Sequence, residues 1–485
     1  MKHGRWLAIV ITVALGAAAC GRDSETTDSG TATTAAGTET TAGGDGGNES
    51  AGLDQGAFGD LGVLCAPAPD DEPNAAGTDP GVTADKIQIS TFSDPGFSGR
   101  LGLNQEMFDT ATAFTNWCNE KGGIHGRQID LKLRDAKLTE FQQRVIEACD
   151  EGDFMTVGGG AVFDDTGQPD RLACALPAIP GYAVTAAASD ADLSLQPVPL
   201  PGDEQPIGHL RYLAEKYPDT IENVGIFTGS LETTIAVANR NKEAMEANGF
   251  KIVYEGQYNP QGETSWRTFI EAQRSAGVKG LYWVGEPANL AAFLTEASSV
   301  GMTYDWVTAD ANHYDPGLLD AGAAANKTYV RSVFYPFLDE AQAKENPATE
   351  QYRELINQYT DNGKIAYLGV QGLSSWLLFA KAAGECGAEL TRDCVWEKAT
   401  AITDWTGGGL HAKQNLETQG ASECVSIVEV VDGKFQLVDD LEPNDGIYLC
   451  DPKNVAKLTG DYGTGAKCPN PAYASDPKPS NCANG

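Results

Sequence analysis

Histidine and methionine are scarce, five of each in 485 residues, and the 34 basic residues are half as many as the 68 acidic ones. The histidines are scattered and no Cys-x-x-Cys occurs, so a zinc site of ordinary ligand spacing has no support. There is no G-x-S-x-G, no Walker loop, no H-E-x-x-H and no histidine placed to activate a nucleophile. Only carboxylate-pair chemistry escapes that filter, which makes an enzyme the weaker reading. The shortage of positive charge, with a net charge of −34, disfavours nucleic acid, whose phosphates need a basic face. The acidic balance reads instead as solubility in a salty exterior. The nearest approach to a cation loop, DDLEPNDG from Asp439 to Gly446, places its glycine one position late for an EF-hand and reads as a turn.

Long apolar runs are also wanting. The run from Trp6 to Ala19, preceded by Lys2 and Arg5, is too short and wrongly flanked for a stable membrane span, and reads as an export signal over residues 1–19. Ala17, Ala18 and Ala19 before Cys20 resemble a bacterial lipobox, without the usual leucine three positions before the cysteine. The expectation is a lipid-modified Cys20 at the mature N-terminus; ordinary secretory cleavage nearby is the alternative. Residues 20–81 are mostly Thr, Ser, Gly, Ala and acid, too poor in large apolar side chains to offset the entropy of ordering, and are expected to form a disordered tether. Ten cysteines remain besides Cys20, an even number that in an exported chain points to five disulfides. Cys386 with Cys394, close in sequence, and Cys149 with Cys174 are the expected pairs.

What is present in abundance is alternation of β-rich runs and amphipathic helices. The strand candidates are KIQIS (Lys86 to Ser90), FMTVGG (Phe154 to Gly159), NVGIFTG (Asn223 to Gly229), FKIVYEG (Phe250 to Gly256), KGLYWVG (Lys279 to Gly285) and DWVTADA (Asp305 to Ala311). Glycines such as Gly249, Gly277 and Gly301 stop the intervening helices before each following strand. In CNEKGGIHGRQIDLKLRD, from Cys118 to Asp135, the pattern switches from helical spacing to the alternation of Ile129, Leu131 and Leu133, which suits a strand at a sheet edge. Repeated βαβ units imply parallel sheets with right-handed crossovers. A body of roughly 360 residues exceeds one ordinary domain, so two doubly wound, Rossmann-like α/β lobes joined by a hinge are expected.

In such sheets ligands bind beyond the carboxyl ends of the strands. The loops that would line an inter-lobe cleft are SDPGFSGRLG (Ser93 to Gly102), GGAVFDDTG (Gly159 to Gly167), PGYAVT (Pro180 to Thr185), GSLETT (Gly229 to Thr234), GEPAN (Gly285 to Asn289) and ADANHYD (Ala309 to Asp315). From them come the candidate ligand-binding residues Ser93, Phe97, Arg100, Ala161, Val162, Phe163, Tyr182, Ala183, Ser230, Glu286 and Asp310, with Tyr367 as a further pocket wall. Trp283, inside a strand, reads as core. For Tyr182, Phe97 and Tyr367 ordinary packing is an equal alternative, and for Asp164 and Asp165 helix capping is the plainer role.

KIQISTFSDPGFSGRLG followed by a helix ending NEKGGIHGRQIDLKLRD resembles the opening of the type I periplasmic binding proteins, specifically the leucine/isoleucine/valine-binding branch that serves ABC importers; GGLHAKQNLETQG (Gly408 to Gly420) is similar to a turn near that family's C-terminus. The likeness implies the type I periplasmic binding protein fold, with an N-terminal lobe of residues 82–196 and 333–421, a C-terminal lobe of 197–332 and 422–440, and a cysteine-containing tail of 441–485. It implies hinge crossings near Gln196, Ser332 and Cys424. By the same likeness the first lobe would hold a carboxylate, but its loop here reads Ala161-Val162-Phe163-Asp164-Asp165 without the family's serine. Asp310 stands where an ammonium-binding acid would lie, and Glu286 where an aromatic is common.

The resemblance thus implies a monomeric binding protein without cofactor or catalytic role. Asp310 and Glu286 would supply negative charge from the second lobe, so the expected small polar solute carries an ammonium or several hydrogen-bond donors: an amino acid, an amide or a polyamine-like solute, with leucine, isoleucine and valine bound weakly or not at all, delivered to an ABC permease. A ligand-sensing receptor lipoprotein of the same fold is the alternative. The only membrane contact expected is the lipid on Cys20, at the outer face of the cytoplasmic membrane.

Overall fold

The computed structural model describes residues 52–189 and 191–463. The export signal, Cys20, the first part of the expected tether, Cys468 and Cys482 lie outside them. Two sheets organise the described chain. The first holds β1 (Lys86–Ser93), β2 (Gln128–Asp135), β3 (Met155–Val157) and β4 (Ala178–Ile179), all parallel, in the order β2-β1-β3-β4. Between β1 and β2 runs the helix Gln105–Glu120. Gly122 and Gly123, at φ of 110° and 85°, then turn the chain where a side chain would be strained.

β2 lies at the sheet edge as its alternation suggested, but the alternation does not run to its end. Leu133 is exposed, while Arg134 turns inward to bond Ser90 and the buried Asp153, the latter at 2.7 Å. A buried ion pair has displaced an apolar contact there.

The chain then leaves for a second region. β5 (Glu204–Pro206) is followed by β6 (Val224–Gly229), β7 (Ile252–Tyr258), β8 (Gly280–Val284), β9 (Trp306–Ala309) and β10 (Thr328–Ser332). β6 to β10 pair in parallel in the order β10-β9-β8-β6-β7. After Ser332 the chain returns to the first lobe, where Val333 and Phe334 pair with Ala412 and His411. Helices Pro347–Tyr359 and Tyr367–Cys386 pack there on the helix Gln105–Glu120, with Phe114 and Trp376 stacked at 5.3 Å. A last crossing brings β11 (Cys424–Val431) and β12 (Lys434–Leu437) antiparallel onto the β10 edge. The second lobe is centred on an aromatic cluster in which Trp283, fully buried, stacks on Tyr258 at 4.6 Å. Among the described residues no helix is long and apolar enough to cross a membrane.

The expected limits fail at both ends. Residues 52–81 are not a free tether: Leu53, Phe58, Leu64 and Cys65 are buried, the Trp117 indole donates to the Leu53 carbonyl at 2.8 Å, and Cys65 is bonded to Cys118. A few well-placed apolar residues and a covalent staple hold a segment whose average composition looked disordered. Likewise 441–463 is not a loose tail. Leu441, Tyr448 and Leu458 are buried, Cys450 is bonded to Cys424, β13 (Leu449–Cys450) pairs with β11, and β14 (Val455–Lys457) pairs with β5. Cys149–Cys174 and Cys386–Cys394 pair as expected. Asn444 and Asp445 bond Tyr448 across the expected turn.

Candidate functional site

On the first lobe the site begins where β1 ends. The Ser93 hydroxyl donates to the Asn104 carbonyl at 2.9 Å, and the Asn104 amide donates to the Tyr182 hydroxyl at 3.0 Å. Asp94, fully buried, accepts the amides of Leu138 at 2.7 Å and Val162 at 2.9 Å. Asp164, also buried, accepts those of Val184 at 2.7 Å and Thr185 at 3.1 Å. Gly160 is required beside this loop because a Cβ there would strike the Tyr182 ring.

Two carboxylates have thereby taken three of the backbone donors of the loops that end β3 and β4, the amides of Val162, Val184 and Thr185. Burial pushes the Asp94 carboxyl up, and pushes that of Asp164 up to about 7 against the pull of its hydrogen bonds. Burial also pushes the Tyr182 phenol well up, with Asp94 and Asp164 adding to the effect. Asp164 is not the cap of the helix that follows it, which starts after Gly167; its carboxylate accepts the amides of Val184 and Thr185 ahead of the short helix Ala186–Ser189, where the Thr185 hydroxyl accepts the Ala188 amide. Ala161 is buried, and Phe163 and Ala183 are half-buried. Beneath this loop Asp164, Tyr182 and Ala183 border a small cavity of about 40 Å³.

The second lobe contributes a different arrangement at the carboxyl ends of β9 and β10. Asp310 Oδ1 accepts Arg331 Nε at 3.0 Å and the Tyr282 hydroxyl at 3.2 Å. Asp310 is one-fifth exposed and Arg331 less. Burial works against the Asp310 charge, but Arg331 holds the carboxyl below its ordinary range. Among the described residues Asp310 Oδ2 and the two terminal nitrogens of Arg331 have no hydrogen-bond partner. Two buried histidines within electrostatic reach of Asp310 are also unsatisfied: both ring nitrogens of His209, and Nε2 of His313. Burial lowers both, His209 to about 3, so at neutral pH they are uncharged. Tyr367, at the start of its first-lobe helix, lies within reach of the Asp310–Arg331 pair, and burial raises its phenol to about 12.

The expected residues therefore fall into groups. Ser93, Ala161, Val162, Phe163, Tyr182 and Ala183 are gathered on the first lobe. Asp310 and Tyr367, from opposite lobes, lie within electrostatic reach of each other. Arg100 and Glu286 form an ion pair across the rim, both more than one-third exposed, and Phe97 packs over Gly99 beside Gln261 of the second lobe. Ser230 is exposed on the loop after β6; its amide donates to the Tyr258 carbonyl, away from the other groups. The second-lobe wall expected to offer bare negative charge does not, because Arg331 offsets Asp310 and Arg100 offsets Glu286. Arg331, His209 and Asp94 were not anticipated. Asp94 stood inside the loop SDPGFSGRLG without being singled out, and for Arg331 the signal was the charge inside the strand TYVRS, directly before the Ser332 crossing.

Residues 96–434 match the periplasmic binding protein family, and the chain belongs to it. The class is one of solute-binding components of transport systems, not of enzymes, and it works outside the cytoplasm. No curated protein sequence matches the chain. Among solved structures, a fatty acid ABC transporter substrate-binding protein from Thermomonospora curvata is similar with a TM-score of 0.60 and 17% identity, over 79% of this chain and 99% of that one. A branched-chain amino acid ABC transporter protein from Thermus thermophilus with bound valine has a TM-score of 0.60 and 16% identity, over 73% and 96%. The LivJ substrate-binding protein of Streptococcus pneumoniae in complex with isoleucine has a TM-score of 0.57 and 14% identity, over 73% and 99%. At such identities the likeness concerns the fold: two α/β lobes with mainly parallel sheets.

Proposed function

We propose that this protein is an extracytoplasmic solute-binding lipoprotein that captures a small amino-acid-like or amide solute between its lobes and delivers it to an ABC permease. One observation carries the reading: the two lobes face each other with polar groups, Arg100 of the first paired with Glu286 of the second, and Tyr367 of the first within electrostatic reach of the Asp310–Arg331 pair of the second. A solute touching both walls favours the closed arrangement over the open one, and the closed form is what a permease distinguishes. Lipid on Cys20 would keep the monomer at the outer face of the membrane that holds its permease.

Native mass spectrometry of the purified protein tests the capture. A retained small molecule, lost on mild unfolding and regained on refolding with solute, is expected; a protein that retains nothing and binds none of a panel of amino acids, amides and carboxylates contradicts it. Cys20→Ala should release the protein from membranes, and a variant that stays bound removes the anchor from the proposal.

A further inference from the structure

We propose that the anionic group of the solute is held from the second lobe by Arg331, and that the solute is a monocarboxylate whose adjoining carbon bears a hydrogen-bond donor, ammonium or hydroxyl. This rests on the solute-binding reading above and adds to it the polarity of binding and the chemical class. The first lobe is unfavourable to an anion because two buried acids line it. The amides of Val162, Val184 and Thr185 already donate to Asp94 and Asp164, and the Tyr182 hydroxyl is engaged by Asn104. A carboxylate brought to that wall would meet two buried acids and find those donors already used.

The second lobe has the complementary deficit. Arg331 commits only Nε to Asp310, leaving the two terminal nitrogens of its fork for a second carboxylate. Asp310 commits only Oδ1, leaving Oδ2 as a charged acceptor beside that fork. Around them three buried ring nitrogens, two of His209 and one of His313, have no partner. Buried polar atoms are seldom left so, and several together mark a place that a polar group completes.

The charge balance selects the class. Arg240, within electrostatic reach of both, gives its guanidinium to the Pro201 and Glu204 carbonyls; at the pair itself a plain carboxylate would satisfy the fork but face Oδ2 with like charge, and an amine alone would satisfy Oδ2 but face the guanidinium. A carboxylate with an ammonium or hydroxyl on the next carbon matches both in one small head group. Its far end, lying toward Tyr182 and the two acids, carries no anion.

The test is calorimetric titration of the full chain with four matched series of equal carbon skeleton: α-amino acids, 2-hydroxy acids, unsubstituted monocarboxylates and primary amides. The tightest binder should be an α-amino or 2-hydroxy acid, and removing its α-substituent or converting its carboxylate to an amide should each weaken it at least tenfold; the first two series tell ammonium from hydroxyl. Arg331→Lys, which keeps the charge and loses the fork, should also weaken it at least tenfold. The charge-neutral double variant Arg331→Gln/Asp310→Asn, checked for folding by thermal unfolding, should abolish binding, whereas the surface control Lys344→Ala should change affinity less than threefold. An unsubstituted carboxylate or an amide that binds as tightly as its α-substituted counterpart overturns the assignment, as does full affinity in the Arg331 variants. A solute that binds indifferently to Arg331 sinks this inference alone; a protein that binds nothing sinks the solute-binding reading with it.

Discussion

The two walls of the cleft are built on the same scheme and spend their charges in opposite ways. Both place an acid at the carboxyl end of a parallel strand: Asp94 after β1 and Asp310 after β9. Asp94, like Asp164, is neutralised by the backbone, accepting amides from loops that would otherwise point donors outward. Asp310 is neutralised by a side chain, and a side chain leaves atoms over: Oδ2 of the acid and the terminal nitrogens of Arg331. An acid satisfied by backbone closes a surface, while an acid satisfied by arginine keeps it open to a ligand. The same fold thus yields one wall for shape and one for charge recognition.

The largest expected consequence of this difference is in stability. Arg331→Gln leaves Asp310 largely buried without its partner and should cost about 3 kcal/mol, whereas the double variant with Asp310→Asn should recover most of it; urea denaturation of the four proteins in the cycle measures the coupling. Asp94→Ala strips acceptors from two amides at once and should cost about 2 kcal/mol, with no second-site change able to restore it so simply. Equal losses from the single and double Arg331 variants would mean that the two walls are not neutralised differently.

Acid separates the lobes next, and the signs are opposite. The His209 ring titrates near 3 in the folded protein against an ordinary 6.5, so the stability it contributes is full above 6.5 and is lost as pH falls toward 3. Between pH 6.5 and 5 that loss is about 2 kcal/mol. The Asp164 carboxyl is raised from 3.8 to about 7, so its contribution is full below 3.8 and is lost as pH rises through 7. Thermal unfolding at pH 7 and pH 5 should therefore show a steeper acid loss in Asp164→Asn than in the parent, and a shallower one in His209→Phe. Smallest of all is the rim: Arg100→Ala should change stability by less than about 1 kcal/mol, and the effect should vanish in high salt, because that ion pair is well exposed.

Much of the architecture was legible because it repeats. Six β-rich runs between glycine-stopped helices declared parallel sheets, and each run holds a strand of the structure. What failed was wherever composition was averaged. Leu53, Phe58 and Leu64 are too thinly spread among Gly, Ala and acid for residues 52–81 to look foldable, yet each is buried and Cys65–Cys118 pins them. On the first lobe the loops that gather Ser93, Ala161, Val162, Phe163, Tyr182 and Ala183 were legible, but the buried Asp94 that organises them was not. The second-lobe site was half legible: Asp310 stands out in ADANHYD, but its partner is twenty-one residues away on the next strand, and no local pattern links the two. His209 lies outside every loop singled out, and only the fold brings it to the pair.

In the first lobe the amides of Val162, Val184 and Thr185 are occupied from within, whereas in the second the terminal nitrogens of Arg331 and Asp310 Oδ2 are not. Amide hydrogen exchange with and without a bound solute measures this residue by residue. The amides of Val162, Val184 and Thr185 should be slow before solute is added and gain little from it, while the segments 285–289, 309–315 and 328–332 of the second lobe should slow markedly. If those three first-lobe amides exchange freely until the solute arrives, and the second-lobe segments are unmoved, the solute's anion is held by the first lobe and the account is wrong.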